Sequence, residues 1–537
     1  MPHYHHKKKK NHRKHTTKED VTESVTSSTS TSDTDKNEDD GQQSSSEPDQ
    51  NNNDKRPYEI ANSKVMGRYL VSARNLKAGE VVIVEKPIVI GPCGEPVCLG
   101  CYIPIPTRSN QYKCPGCGWP LCGPKCVGLK SDNGHSSWEC STLREKRVAD
   151  HLDRSKGKEL IKMYEAIAPF RCLLLKKHDP KRWERLIKME AHNDIRRNIS
   201  SLWNRNQEVV VNRLRNVWGF NEFSEEEIHT MCGILEVNCF EIGQNGSRAR
   251  ALYDEAFLLA HDCSANTSHT DNPVNYEMTI RVTRDVPKGD AITLSYAYTL
   301  QGTLKRREHL QEGKFFWCQC KRCSDPTELG TYSSAIQCPK CHGGLILSTD
   351  PLDQNAPWKC RACAYIVTGR SMLLLVDTVF KELDSINSND VLGFEEFLEK
   401  YRNVFHKNHY LCICAKHSLF QLYGRSEKFM IHELSVDQLR TKEIYCRDIL
   451  DVVDLLEPGL SKLRGIIMYE LHAPVMIQAT RLFETGEIKN NEFKKRLREV
   501  IKLLKDSEQI LKMEPDGSNE YTMSVAARDA LQRIGKV

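Results

Sequence analysis

Eight metal-binding side chains form the densest chemical signal in this sequence: Cys98-x2-Cys101-x12-Cys114-x2-Cys117-x4-Cys122-x3-Cys126-x8-His135-x4-Cys140. Soft thiolates and one imidazole, paired across two-residue spacers, suit two tetrahedral Zn²⁺ ions. The stretch holds too few apolar residues for a core, so metal must supply most of its folding energy, roughly 10 kcal/mol or more per ion. Spacing alone leaves open which four ligands share an ion. A second group, Cys318-x-Cys320-x2-Cys323, lacks a fourth ligand, and Cys263 in the stretch Leu258–Asn266 (LLAHDCSAN) is the best-placed thiol to supply it. Cys338-x2-Cys341-x18-Cys360-x2-Cys363 reads as a four-cysteine zinc ribbon. Four zinc ions are therefore expected.

The surrounding chain must position these groups. Its 537 residues allow two to four domains, and a net charge of +5 gives no chain-wide basic field for nucleic acid. No apolar run reaches the ~18 residues a membrane span needs. The basic start MPHYHHKKKKNHRKH lacks the apolar segment of a secretory signal. A reducing compartment follows, in which most of the 22 cysteines are metal ligands rather than disulfides. Residues 1–56 are poor in large apolar side chains and read as a disordered tail, with Lys7–Lys10 as a candidate nuclear signal.

Order begins near Tyr58. Strand-like runs at Gly67–Ala73 and Val81–Val84 flank the Asn75–Glu80 turn. After the finger at 98–140, residues 141–231 read as helical, with Ser224 capping a helix that starts with three glutamates. From Cys232 the pattern reads as strand: Gly233–Ile242, Leu252–Leu259, Met278–Val282 and Ala291–Tyr298. Lys305–Gln311 is helical, a ribbon occupies 336–366, and residues 367–537 are helical, with Ile449, Val452, Val453 and Leu456 on one face. The fold class is α+β.

Taken in order, these parts resemble a SET-domain protein of the SMYD type, in which a MYND zinc finger interrupts the SET domain. The resemblance rests on the Gly67-Arg68-Tyr69-Leu70 strand, the KAGE turn, the eight-ligand array, Ala260–Asn266, the strand ending in Ser295-Tyr296, and the CxCxxC cluster. Extra cysteines after 336 and the RREHL helix make it most similar to the arthropod SmydA branch. It implies a SET N-terminal part at 57–97, a SET core at 232–298, a post-SET segment at 299–325 and a TPR-like C-terminal bundle. It also implies a cross-braced finger, with Cys98, Cys101, Cys122 and Cys126 on one ion and Cys114, Cys117, His135 and Cys140 on the other.

Function follows from the same resemblance: a protein-lysine methyltransferase using S-adenosyl-L-methionine, acting on a protein substrate such as a histone, in nucleus and cytoplasm. Tyr296 would orient the acceptor amine. Gly67, Arg68, Tyr69, Asn238, Ala260, His261 and Phe316 would meet the cofactor. The family has Asn where Ala260 stands, glycine where Tyr69 stands, and often an aromatic where Lys314 stands. A second reading, resting on Ala260 and Tyr69, is a non-catalytic scaffold whose finger binds Pro-rich partners, a histone-deacetylase complex among them.

Overall fold

The computed structural model describes residues 56–105, 111–152, 157–243 and 249–535. The low-complexity tail and its basic run lie outside the described residues, except Arg56, which pairs with Glu255. The strands of the first half are β1 (Tyr58–Ser63), β2 (Gly67–Ser72), β3 (Val81–Glu85), β4 (Val89–Pro92), β5 (Phe240–Ile242), β6 (Ala249–Leu252), β7 (Ala260–His261), β8 (Thr267–Asp271), β9 (Met278–Val282) and β10 (Thr293–Leu294). They form small sheets: the β1-β2 hairpin, β3-β9-β8, β4-β6-β5, and a short parallel pair of β7 with β10. Val81 pairs with Arg281 and Val89 with Leu252, so both sheets join chain segments from either side of the finger.

Gly67 closes the β1-β2 hairpin at φ +63°, a conformation glycine adopts without a Cβ penalty. Between the halves, the helix Lys158–His178 buries Phe170, Cys172 and Leu173 against the sheets and carries the insert. The Val209–Val217 run is wound as two π-helical turns.

Three strand expectations fail, each for a local reason. Cys232–Asn238 is helical: the helix Glu225–Asn238 starts at Ser224 with a full capping box and runs on. Its buried Ile228, Met231, Cys232 and Leu235 follow the helical period, and only Phe240–Ile242 is strand, so the boundary placed at 232 falls inside a helix. β6 ends at Leu252 because the Glu85 carboxylate accepts the N–H groups of Asp254, Glu255 and Ala256, which turns the chain into a 3₁₀ turn at Ala256–Leu258. Ala291–Tyr298 is strand only at Thr293–Leu294, with a lone bridge from Ala291 to Val71, because Asn266 takes ladder positions, donating to Ala291 O and accepting from Thr293 N.

The ribbon is an antiparallel sheet of β11 (Ile336–Gln337), β12 (Leu345–Ser348), β13 (Trp358–Cys360) and β14 (Ile366–Val367). Seven helices follow, from Gly369–Ser385 to Asn519–Ile534. Ile449, Val452, Val453 and Leu456 are buried as their spacing predicts, and in Asn490–Leu511 the buried face runs through Val500, Leu504 and Leu511. No described helix is long and apolar enough to cross a membrane.

Candidate functional site

All four predicted metal groups assemble. Cys98, Cys101, Cys122 and Cys126 converge, as do Cys114, Cys117, His135 and Cys140, so the finger is cross-braced. Cys263 joins Cys318, Cys320 and Cys323, and Cys338, Cys341, Cys360 and Cys363 close the ribbon. Sulfur pairs lie 3.6 Å apart in Cys98–Cys126, Cys114–Cys140 and Cys263–Cys323, and 3.7 Å in Cys338–Cys363. Ligands held ~2.3 Å from a tetrahedral zinc sit about 3.8 Å from one another. The donor sets fit zinc.

Two sites carry supports that sequence reasoning missed. His135 directs Nε2 at Cys117 and Nδ1 at Glu139 Oε1, 2.7 Å away, and Glu139 is locked to buried Arg171. Burial works against the Glu139 charge, but Arg171 and His135 outweigh it and hold its pKa at about 2. A carboxylate that orients a metal-binding imidazole is a recurring zinc device, and the signal was a glutamate four residues after the histidine on a helix start. At the third site Arg306 is fully buried, with Nε 3.3 Å from Cys263 Sγ and Nη2 3.5 Å from Cys323 Sγ. Its other side meets Glu328 at 2.7 Å, and Arg322 shares that carboxylate. Four thiolates on one Zn²⁺ leave a net negative charge, which these guanidiniums offset.

Around the third zinc site, side chains from distant segments make contacts that close on themselves. Arg68 lies 5.5 Å over the Phe257 ring and donates to Lys188 O. Two residues on, Glu190 O accepts from Asn238 Nδ2 at 2.8 Å. Next to Asn238, Val237 O accepts from Lys314 Nζ. Lys314 lies 5.4 Å over the Tyr296 ring, and the Tyr296 hydroxyl donates to Leu259 O, two residues from Phe257.

His261 stands beside this circuit. Its ring lies 5.2 Å from Tyr296 and 5.9 Å from Phe316. The structure thus brings together Arg68, Asn238, His261, Tyr296 and Phe316. Gly67 and Tyr69 stay in the hairpin, Tyr69 opposite Ala61, with nothing within 4 Å of the place a Gly67 Cβ would take. Ala260 lies in β7 against Thr293, and its methyl offers no hydrogen bond. Burial raises the Tyr296 hydroxyl well above the usual tyrosine range, so it is a neutral donor.

Sheets that bridge an inserted zinc finger thus stand beside a cysteine-clamped tyrosine turn. The SET-domain profile matches residues 67–297. The chain is 28% identical over 444 residues to the SET domain-containing protein SmydA-8, isoform B, of Drosophila melanogaster, covering 78% of this chain and 92% of that one. It is 24% identical over 440 residues to the histone-lysine N-methyltransferase ASHR1 of Arabidopsis thaliana, covering 76% of this chain and 85% of that one. Against the N-lysine methyltransferase SMYD2-B of Danio rerio it is 35% identical over 74 residues, 14% and 17% of the two chains. Residues 67–297 thus carry a SET domain, and most of the chain is similar to SmydA-8.

Proposed function

We propose that this chain is a protein-lysine methyltransferase using S-adenosyl-L-methionine. The observation that carries the reading is Tyr296, held at the meeting point of the zinc clamp and the contact circuit. The cofactor, when bound, supplies a methyl group on a sulfonium, and the reaction needs a neutral amine aligned with it more than it needs an acid or base. Tyr296 and the Leu259 carbonyl line the place where an acceptor amine would be oriented. Phe316 and the His261 ring offer cover for the cofactor. Relatives named histone-lysine and N-lysine methyltransferases support a protein lysine as acceptor, and we extend this to histone lysines and to a nuclear and cytoplasmic location. The scaffold alternative rests on Ala260 and Tyr69, and the relatives' names weigh against it.

The test is calorimetric titration with S-adenosyl-L-methionine, followed by labelled-methyl transfer to lysate proteins. Binding at micromolar cofactor is expected, with transfer lowered on the order of 10²-fold in Tyr296→Phe. No heat at high micromolar cofactor would overturn the reading.

A further inference from the structure

Lys314 is an unusual residue at this place. It ends the helix Thr303–Lys314, and the next residue, Phe315, turns the chain at φ +62°. Its ammonium sits against the Val237 carbonyl and over the face of Tyr296. No carboxylate pairs with it among the described residues. Burial lowers its pKa, with only Cys239 opposing.

An aromatic face and a backbone carbonyl are what an incoming lysine amine would seek beside Tyr296: a cation is drawn to the ring, and its N–H groups need an acceptor. Lys314 already uses both. Two amines cannot share one face of one ring, and like charges this close disfavour each other.

We propose that Lys314 is a specificity-determining residue: a resident ammonium that occupies the acceptor-lysine position and must be expelled before a substrate lysine binds. This rests on the proposed function for the identity of the site, while the competition between two amines is a property of the pocket itself. Lys314 thereby sets a threshold on the acceptor, so that only lysines whose flanking residues bind elsewhere on the protein displace it.

The test uses the zinc-loaded full chain and Nα-acetyl-lysine methylamide as probe, titrated by calorimetry with and without S-adenosylhomocysteine. Lys314→Met is expected to bind the probe at least tenfold more tightly than wild type, and Lys314→Arg to bind it as wild type does. S-adenosylhomocysteine affinity should be unchanged across the three. Equal probe affinity in Lys314→Met and wild type overturns the proposal, as does a gain in Lys314→Arg equal to that in Lys314→Met. Lys314→Gln, which keeps a donor for Val237 O, repeats the comparison if the methionine variant loses zinc. Failure of S-adenosylhomocysteine to bind any variant defeats the proposed function instead, and the probe titration without it still decides the role of Lys314.

Discussion

Tyr296 and Cys263 are joined through one imidazole. The Tyr296 backbone N–H donates to His261 Nδ1 at 2.9 Å, which leaves the hydrogen on Nε2, 3.2 Å from Cys263 Sγ. A zinc thiolate thus fixes the tautomer and the plane of a ring that in turn fixes the backbone of the tyrosine. His261, expected to meet the cofactor, here positions the tyrosine through its side chain.

Replacing that ring should therefore reach the reaction without touching a metal ligand. His261→Ala is expected to lower methyl transfer by about 10–100-fold, the usual range for a group one step removed from a metal. Zinc content measured by atomic emission should stay at four per chain. Unchanged transfer would show that the imidazole does not position Tyr296.

Tyr296→Phe deletes the hydroxyl that donates to Leu259 O and leaves the ring in place. Misalignment of reacting atoms by about 1 Å costs on the order of 10²-fold in rate, and a loss of that size is expected in single-turnover transfer. Thermal stability should change little.

Cys263→Ser should remove one zinc of four, since the other three ligands of that site lie together at 318–323. Affinity for S-adenosyl-L-methionine is expected to fall with it, because the turn holding His261 is released. A variant that keeps four zinc ions would place the fourth ligand elsewhere.

Arg171→Met leaves Glu139 buried without its guanidinium partner. Stranding one member of a buried pair costs about 3–5 kcal/mol. Urea denaturation should show this loss, together with weaker zinc retention through His135.

Acid sensitivity should have an identifiable contributor in His409. Its Nδ1 accepts the Leu411 N–H as the cap of the helix Tyr410–Leu422, and burial lowers its pKa to about 3. Between about pH 3 and the ordinary ~6.5 the unfolded chain binds a proton there and the folded chain does not, so stability falls as pH drops through that window. His409→Asn keeps a capping acceptor and removes the proton linkage. The variant should lose less stability than wild type between pH 6.5 and 4, read as denaturation midpoints on both chains.

Cysteine spacing made the metal frame legible, because paired thiols across two-residue spacers suit a tetrahedral zinc, and the cross-brace followed the pattern the resemblance implied. The strand at Met278–Val282 and the cap at Ser224 were equally readable. What failed depended on distant partners. Glu85 lies 171 residues from the N–H group of Ala256 that it caps, and no window around Leu252–Leu259 contains it. The Gly233–Asn238 run had enough β-branched and apolar residues to read as strand, and only its continuity with the helix capped at Ser224 made it helix. Arg306 looked like an ordinary charged helix residue until its two sulfur contacts were seen.

The pairing of Val81 with Arg281, far apart in the sequence, bears on how the protein is made. Long-range strand pairing is slow because the intervening loop must close before any contact rewards it. Here the loop contains a finger that metal alone can fold, and a finger already cross-braced on two zinc ions shortens the free chain left to close. Zinc supply during synthesis therefore acts on the rate at which the SET sheets form as well as on their final stability, and a zinc-starved cell would accumulate chains stalled before the sheets have closed.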